Sequence, residues 1–311
     1  MYGSMQSHFC KERFAMIVPE TNTLSAAHAG TIALGGDMRV NRLGYGAMRI
    51  TGKGVWGQPE DREGALATLR RAVDLGINFI DTADSYGPYV SEELIAEALY
   101  PYPEDLVIAT KGGWERVGPA QWLHNAGPTH LENAVNGSLT RLKLERIDLY
   151  QLHVPDPAVS FDASVEALAR LRDEGKIRHI GLSNVTVEHV ERALRIVPIV
   201  SVQNRYSFSD QEWNYMLDHC ESNGMAFMPW SPLTQNRKAN DAVQKIAEAH
   251  KVSTAVVTLA WLLRRSAAML PIPGTSRVSH LEDNISAAAF QLEDADYDEL
   301  SAIVPPPFSF R

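Results

Sequence analysis

The sequence predicts an α/β fold, a closed (β/α)8 TIM barrel preceded by an N-terminal β-hairpin, on three observations. Short runs of β-branched and aliphatic residues alternate with segments of helical period, roughly eight times along the chain. The helices between the runs force neighbouring strands to lie parallel, since a parallel pair needs a long crossover. The 311 residues suit one barrel of roughly 250 residues plus a tail. An open doubly wound sheet is the alternative, and the even repetition without a separate substrate domain favours closure.

Taken in order, residues 1–30 read as a tail outside the barrel, partly disordered or partly not native sequence, with Met16 a second candidate start. Its apolar run, residues 14–18, is too short for a secretory signal and stops at Pro19. TIALGGDMRV then places two alternating stretches around Gly35 and Gly36, which suits a tight two-residue hairpin. Barrel strands are expected near residues 39–45, 77–81, 106–110, 147–152, 177–182, 200–203, 225–229 and 268–271. Residues 61–75 carry Ala65, Leu66, Leu69 and Val73 on one helical face, and residues 129–142 carry Leu131, Val135, Leu139 and Leu142. Residues 112–128 read as a long loop after the third strand, with Trp114, Trp122 and His124. Loops after barrel strands lie on the catalytic face, so this one is expected to shape a substrate pocket. Residues 31–311 then form one domain, and the closing PPPFSFR adds none.

Gly52, Gly54 and Gly57 spell GxGxxG. A dinucleotide fingerprint needs a strand running straight into the first glycine and a helix opening inside the motif. Here Pro59 and Asp61 mark the helix start beyond it, so the segment reads as an active-face loop, with Trp56 placed to meet substrate.

Composition narrows the function. A net charge of -9 disfavours nucleic acid and anionic membrane surfaces as partners. No stretch approaches the roughly 20 apolar residues of a membrane-spanning helix. Two cysteines, Cys10 and Cys220, offer neither a disulfide framework nor metal-ligand spacing. The expectation is a cytoplasmic protein without a metal.

Four polar residues end successive apolar strands or follow them closely: Asp81 in INFID, Tyr86 five positions later, Lys111 in LVIATK and His153 in IDLYQLH. In a barrel these ends share one face. Each alone has a structural reading, as a helix cap, a packed ring or a solvated charge. Together they suit proton donation to a carbonyl oxygen that has received a hydride. The phenol gives the proton, the ammonium lowers the phenol pKa toward neutrality, the carboxylate holds the ammonium, and the imidazole binds the oxygen. The hydride must come from a cofactor, since no side chain supplies one.

NFIDTADSYG, ATKGG, IDLYQLH, GLSN, VQNRYS and PIPGTS with LEDN occur in the order found in aldo-keto reductases, and the chain resembles that family from about residue 31 to 289. The resemblance implies a catalytic tetrad of Asp81, Tyr86, Lys111 and His153, with Tyr86 as general acid, and an NADPH cofactor. It places Ser183, Asn184 and Gln203 on the nicotinamide carboxamide, beside Asp81. Trp230 stands where the family usually has a tyrosine stacked on the nicotinamide, and another aromatic can stack. Ser231, Pro232 and Leu233 match the pyrophosphate segment; Gly46, Ala47 and Met48 match the turn after the first strand. Gly274, Thr275, Ser276 and Arg277, with Asp283 and Asn284, match the adenosine end, where a helix N-terminus favours phosphate. Arg277 is expected to pair with the 2′-phosphate and to favour NADPH over NADH.

The implied activity is reduction of aldehydes, with ketones as a further class, by a monomer or weak oligomer. Trp56, Trp114 and Trp122 are the expected substrate pocket, suited to apolar or aromatic carbonyls. The short SPLTQN segment and C-terminal tail imply an open site. The chain is also similar to bacterial reductases that include pyridoxal reductases. A second reading is an NADPH-binding regulatory module, since potassium-channel β-subunits resemble this fold. A third, a barrel with unrelated chemistry, lacks the paired carboxylates or metal-ligand cluster it would need.

Overall fold

The computed structural model describes residues 24–234 and 237–303, with residues 237–239 as backbone only. Residues 1–23, Met16 among them, and the closing PPPFSFR lie outside the described residues. Residues 24–30, assigned to the tail by the sequence reading, belong to the fold: a 3-10 turn, Ala26–Ala29, is capped by Ser25, and Ala26 N donates to Leu75 O at 2.8 Å.

Strands β1 (Thr31–Leu34) and β2 (Met38–Asn41) pair antiparallel. Their turn holds Gly35, Gly36 and Asp37, one residue more than expected, because Leu34 pairs with Met38. Both glycines have positive φ, which the turn requires. Asp37 is drawn down by Arg178 and His179, at 2.9 and 2.6 Å.

The barrel wall consists of seven parallel strands. In chain order they are β3 (Tyr45–Gly46), β4 (Phe79–Asp81), β5 (Val107–Gly112), β8 (Ile147–Leu152), β9 (Ile177–Ser183), β10 (Ile199–Gln203) and β11 (Ala226–Phe227). Each bonds to the next, and residues 268–273 close the gap. Phe227 N donates to Ala268 O and Leu270 N to Phe227 O on one side; Gly44 N donates to Pro271 O and Gly46 N to Pro273 O on the other. Pro271 and Pro273 have no N–H to return, so the eighth position completes the wall without forming a regular strand.

Two expectations are corrected. Residues 39–45 are not one strand but the end of the hairpin and the first barrel strand, separated by a turn at residues 42–44. Residues 112–128 are not an open loop, since β6 (Trp114–Gly118) and β7 (Gln121–His124) pair antiparallel inside them. Along β6 the apolar Val117 faces solvent and Arg116 faces inward, the reverse of ordinary alternation, which is why the strand is not visible in the hydrophobic pattern.

Helices α1 (Arg62–Asp74), α2 (Val90–Leu99), α3 (Pro128–Leu142), α4 (Phe161–Asp173), α5 (Val187–Leu194) and α6 (Asn214–Ser222) return the chain between strands. The last part of the ring is α7 (Arg237–His250), α8 (Thr254–Arg265), α9 (Val278–Ser286) and α10 (Asp294–Ser301). Asp61 caps α1 by accepting from Gly64 N at 2.8 Å, and Ala65, Leu66, Leu69 and Ala72 bury its inner face. The barrel interior is a separate apolar cluster in which Phe79, Val107, Leu149, Val200 and Leu270 meet Leu34, Met38 and Val40 of the first hairpin. The hairpin therefore plugs the N-terminal end, leaving the C-terminal end open to function. Among the described residues, no single helix is long and apolar enough to cross a membrane.

Candidate active site

The floor of the open end is polar and sealed. Asp81 ends β4, and Lys111 stands near the end of the adjacent β5. Lys111 Nζ donates to Asp81 Oδ2 at 2.7 Å and to Thr82 O at 2.8 Å, and its side chain is fully buried. The other carboxylate oxygen accepts from Gln151 Nε2 at 3.0 Å and Gln203 Nε2 at 2.8 Å. A buried charge pair is tolerable only with this degree of hydrogen bonding. Gln151 was not among the expected residues. It sits on β8 beside Gly181, where an added Cβ would meet Gln151 Cγ at 3.0 Å and Ser201 Oγ closer still.

Tyr86 and His153 stand above this floor. Tyr86 Oη lies 3.5 Å from Lys111 Nζ, and its ring meets the His153 ring edge-on at 5.8 Å. Burial raises the Tyr86 phenol above its ordinary pKa, Lys111 pulls it back, and Asp81 opposes Lys111. The expectation of a phenol brought toward neutrality is not met, because burial outweighs the nearby ammonium, which Asp81 also offsets from 2.7 Å away. Burial works against the Lys111 ammonium, but Asp81 and Tyr86 outweigh it and its pKa ends raised. Burial and then Lys111 hold His153 well below the usual histidine range, so the ring is neutral and keeps one donor. Ser85 Oγ lies 3.5 Å from His153 Nδ1.

A cavity of about 840 Å³ opens over these groups. Asp81, Tyr86 and His153 line it, while Lys111 stays behind them. Ser183, Asn184, Gln203 and Trp230 form one wall, continued by Ser231, Pro232 and Leu233. Gly46, Met48 and Gly274 also line the cavity, with Ile272 and Pro273. Asn184 has φ +57, a left-handed conformation that asparagine tolerates. Its Nδ2 donates to His153 O at 3.0 Å and Ser183 Oγ at 3.1 Å, and its Oδ1 accepts from Trp230 Nε1 at 3.1 Å.

Not every expected cofactor residue reaches the cavity. Ala47, Thr275 and Asn284 are buried behind it, and Thr275 Oγ1 accepts from Arg277 N at 3.1 Å. Asp283 points to Ser253, the cap of α8, whose hydroxyl it accepts at 2.6 Å. Ser276 and Arg277 lie at the outer edge where α9 begins. The guanidinium of Arg277 has no protein partner among the described residues, and the same holds for Arg49, which lines the cavity beside Gly274. Neither Arg49 nor the lining residues Val154 and Thr234 were expected; a single exposed arginine after a strand carries no signal of its own.

On the substrate side, Trp114 and Trp122 line the cavity with ring centroids 5.9 Å apart. Trp114 also packs against His124 at 4.4 Å and approaches His153 at 6.4 Å. Trp56 does not line the cavity. Its backbone bridges Gly87, and its ring faces the Arg116 guanidinium at 5.7 Å. The GxGxxG segment folds on itself, Gly52 N donating to Gly57 O at 3.0 Å, and α1 starts only at Arg62. Among the described residues, no group of three histidine, cysteine or acidic side chains is placed to hold a metal.

The sequence and the fold both have known relatives. Residues 42–305 match the sequence profile of the Aldo/keto reductase family. An uncharacterized oxidoreductase of Schizosaccharomyces pombe is 47% identical, the match covering 90% of this chain and 92% of that protein. Pyridoxine 4-dehydrogenase of Escherichia coli is 42% identical, covering 86% of this chain and 96% of that protein. The crystal structure of an aldo-keto reductase from Klebsiella pneumoniae in complex with NADPH superposes with a TM-score of 0.75 at 26% identity, covering 89% of this chain and 95% of that one.

Proposed function

The chain belongs to the aldo/keto reductase family, and from that premise we propose that it is an NADPH-dependent reductase of aldehydes, with Tyr86 as general acid. The observation that carries the reading is the convergence of Tyr86, Lys111, Asp81 and His153 under one cavity, with Tyr86 Oη 3.5 Å from the buried ammonium.

The residues present fit the cofactor. Ser183, Asn184 and Gln203 bring hydroxyl and amide groups to the wall where a carboxamide would be held. Trp230 offers an indole for stacking, and Ser231 to Leu233 with Gly46 and Gly274 line the part of the cavity a pyrophosphate would occupy. The Arg277 guanidinium at the start of α9, without a partner among the described residues, suits a 2′-phosphate. When bound, NADPH supplies the hydride. Neutral His153 donates a hydrogen bond to the carbonyl oxygen and polarises it. Tyr86 delivers its proton to that oxygen as negative charge develops there, and Lys111 stabilises the phenolate left behind. Asp81, Gln151 and Gln203 keep the ammonium in place.

Trp114, Trp122 and the Tyr86 ring favour a planar aldehyde. The name of the Escherichia coli relative makes pyridoxal the first compound to try, since reducing its aldehyde reverses oxidation of pyridoxine at the 4-position. The test is NADPH consumption with a panel of aldehydes, pyridoxal and a nitrobenzaldehyde among them, for the parent and Tyr86→Phe. Turnover by the parent alone, with NADPH bound by both, is the expected result. If both bind NADPH and neither reduces any carbonyl, the enzyme reading fails in favour of an NADPH-binding regulatory module.

A further inference from the structure

Arg116 sits on β6 with its side chain turned inward and 9% exposed. All of its donor nitrogens bond to backbone carbonyls. Nε donates to Gln121 O at 3.1 Å, Nη1 to Val55 O at 2.7 Å and Ser85 O at 2.9 Å, and Nη2 to Gly54 O at 2.9 Å and Gly118 O at 3.3 Å. The guanidinium also lies 3.8 Å over the Trp122 ring. Three segments that are distant in sequence meet on this one side chain: the GxGxxG loop, the loop carrying Ser85 and Tyr86, and the hairpin carrying Trp114 and Trp122.

We propose that Arg116 is a positioning residue that sets the aldehyde specificity of the site, by tying the tryptophan hairpin, which supplies two of its five carbonyl acceptors, to the Tyr86 loop through Ser85 O and to the GxGxxG loop through Gly54 O and Val55 O. Ser85 O is one of those acceptors, and Ser85 Oγ reaches His153 Nδ1, so the same joint bears on both proton-handling residues. Only a planar group with five donors serves carbonyls spread around it while stacking on an indole. An ammonium has three donors and no face to stack. Without the guanidinium the carbonyls of Gly54, Val55, Ser85 and Gly118 lose their shared donor, and the two walls of the pocket move independently. A displacement of about 1 Å at a reacting group costs on the order of 100-fold in rate.

The catalytic part of this inference rests on the reductase reading; the structural part does not, and the experiment separates them. Hydrogen exchange is followed by mass spectrometry for the parent, Arg116→Lys and Arg116→Met without substrate. The expected result is a joint loss of protection in residues 51–57, 82–87 and 114–124, with the rest of the barrel unchanged. Loosening of residues 114–124 alone would mean that Arg116 only anchors its own hairpin, and the proposal falls. NADPH affinity, read by fluorescence titration, is expected to stay within about twofold, because the cofactor walls lie elsewhere. For turnover, kcat/KM for a ring aldehyde is expected to drop about 100-fold and for a short aliphatic aldehyde about tenfold, since the latter loses the alignment of Tyr86 and His153 but not the tryptophan wall. Guanidinium ion added below denaturing concentration should restore part of the rate in Arg116→Ala. An unchanged ring-aldehyde kcat/KM in Arg116→Met overturns the proposal. Should that variant fail to fold, Arg116→Lys, which keeps the charge, carries the same exchange and kinetic measurements. A parent that reduces no carbonyl removes the kinetic arm and leaves the exchange result to decide the positioning.

Discussion

Lys111 Nζ and Asp81 Oδ2 lie 2.7 Å apart on adjacent strands, and neither group reaches solvent appreciably. Asp81 is also the acceptor for Gln151 and Gln203, so one carboxylate organises the whole floor. Removing one member of a buried pair strands the other charge. Lys111→Met is therefore expected to cost about 3–5 kcal/mol of stability in urea denaturation. The double variant with Asp81→Asn should cost less than the two single losses added together, because no buried charge is then left unpaired. Strict additivity would show that the two groups do not act as a unit.

The raised phenol pKa of Tyr86 fixes the sign of the pH dependence. Reduction needs the protonated phenol, which the folded protein keeps throughout the neutral range. The expected profile of kcat/KM for aldehyde reduction is flat from about pH 6 to 9 and falls only as the phenol begins to ionise. The reverse reaction needs phenolate and should rise across that window. His153 adds no step near its ordinary pKa, since burial and Lys111 keep it neutral. A reduction rate that fell by half through neutral pH would contradict the burial argument.

Trp230 has a second role besides presenting a ring. Its indole N–H is the donor to Asn184 Oδ1, and Asn184 in turn is tied to His153 O. Trp230→Phe keeps an aromatic face and deletes that donor. A lost hydrogen bond of this kind is worth about 1 kcal/mol, so NADPH Kd should rise about fivefold in a fluorescence titration. A Kd unchanged in Trp230→Phe but raised in Trp230→Leu would assign the whole effect to the ring face.

The strand ends of the site are legible in the sequence because three apolar runs ending in Asp81, Lys111 and His153 place those residues on one face, a convergence that the structural reading of any one of them does not explain. Gln151 is not legible. It reads as one polar position inside IDLYQL, and its purpose appears only once Asp81 is seen to need a further donor. The second hairpin is hidden because Arg116 points in and Val117 out, so binary patterning runs backwards there. The eighth strand is legible by composition, but its prolines keep it irregular while still closing the wall. Asp283 shows the limit of a matched motif: the residue is in place, yet its carboxylate serves Ser253 at the head of α8.

Arg277 tests cofactor choice directly. Its side chain is exposed, without a protein partner among the described residues, at the N-cap of α9. A charge-assisted contact with a phosphate is worth about 1.5–3 kcal/mol. Arg277→Ala should therefore weaken NADPH binding about 10- to 100-fold and leave NADH binding nearly unchanged. Equal affinity for the two cofactors in both proteins would remove the basis for an NADPH preference.

Asp84 offers a test of stability against pH. It is buried beside Glu92, which already accepts from Thr110 Oγ1 and Arg141 Nε, both at 2.6 Å. Asp84 Oδ1 has no hydrogen-bond partner among the described residues. Burial first, then Glu92, pushes its carboxyl well above the ordinary aspartate range, with Arg141 only partly opposing. The folded chain thus holds a proton that the unfolded chain releases above about pH 4. This contribution to stability is complete below the unfolded pKa and is lost as pH rises toward the folded one. Asp84→Asn, neutral at every pH, does not undergo that loss. Melting temperatures taken from about pH 5 to 8 should fall more steeply for the parent than for Asp84→Asn, and the variant should be at least as stable at the upper end. Parallel slopes would mean that Asp84 is ionised in the folded protein and compensated by Arg141.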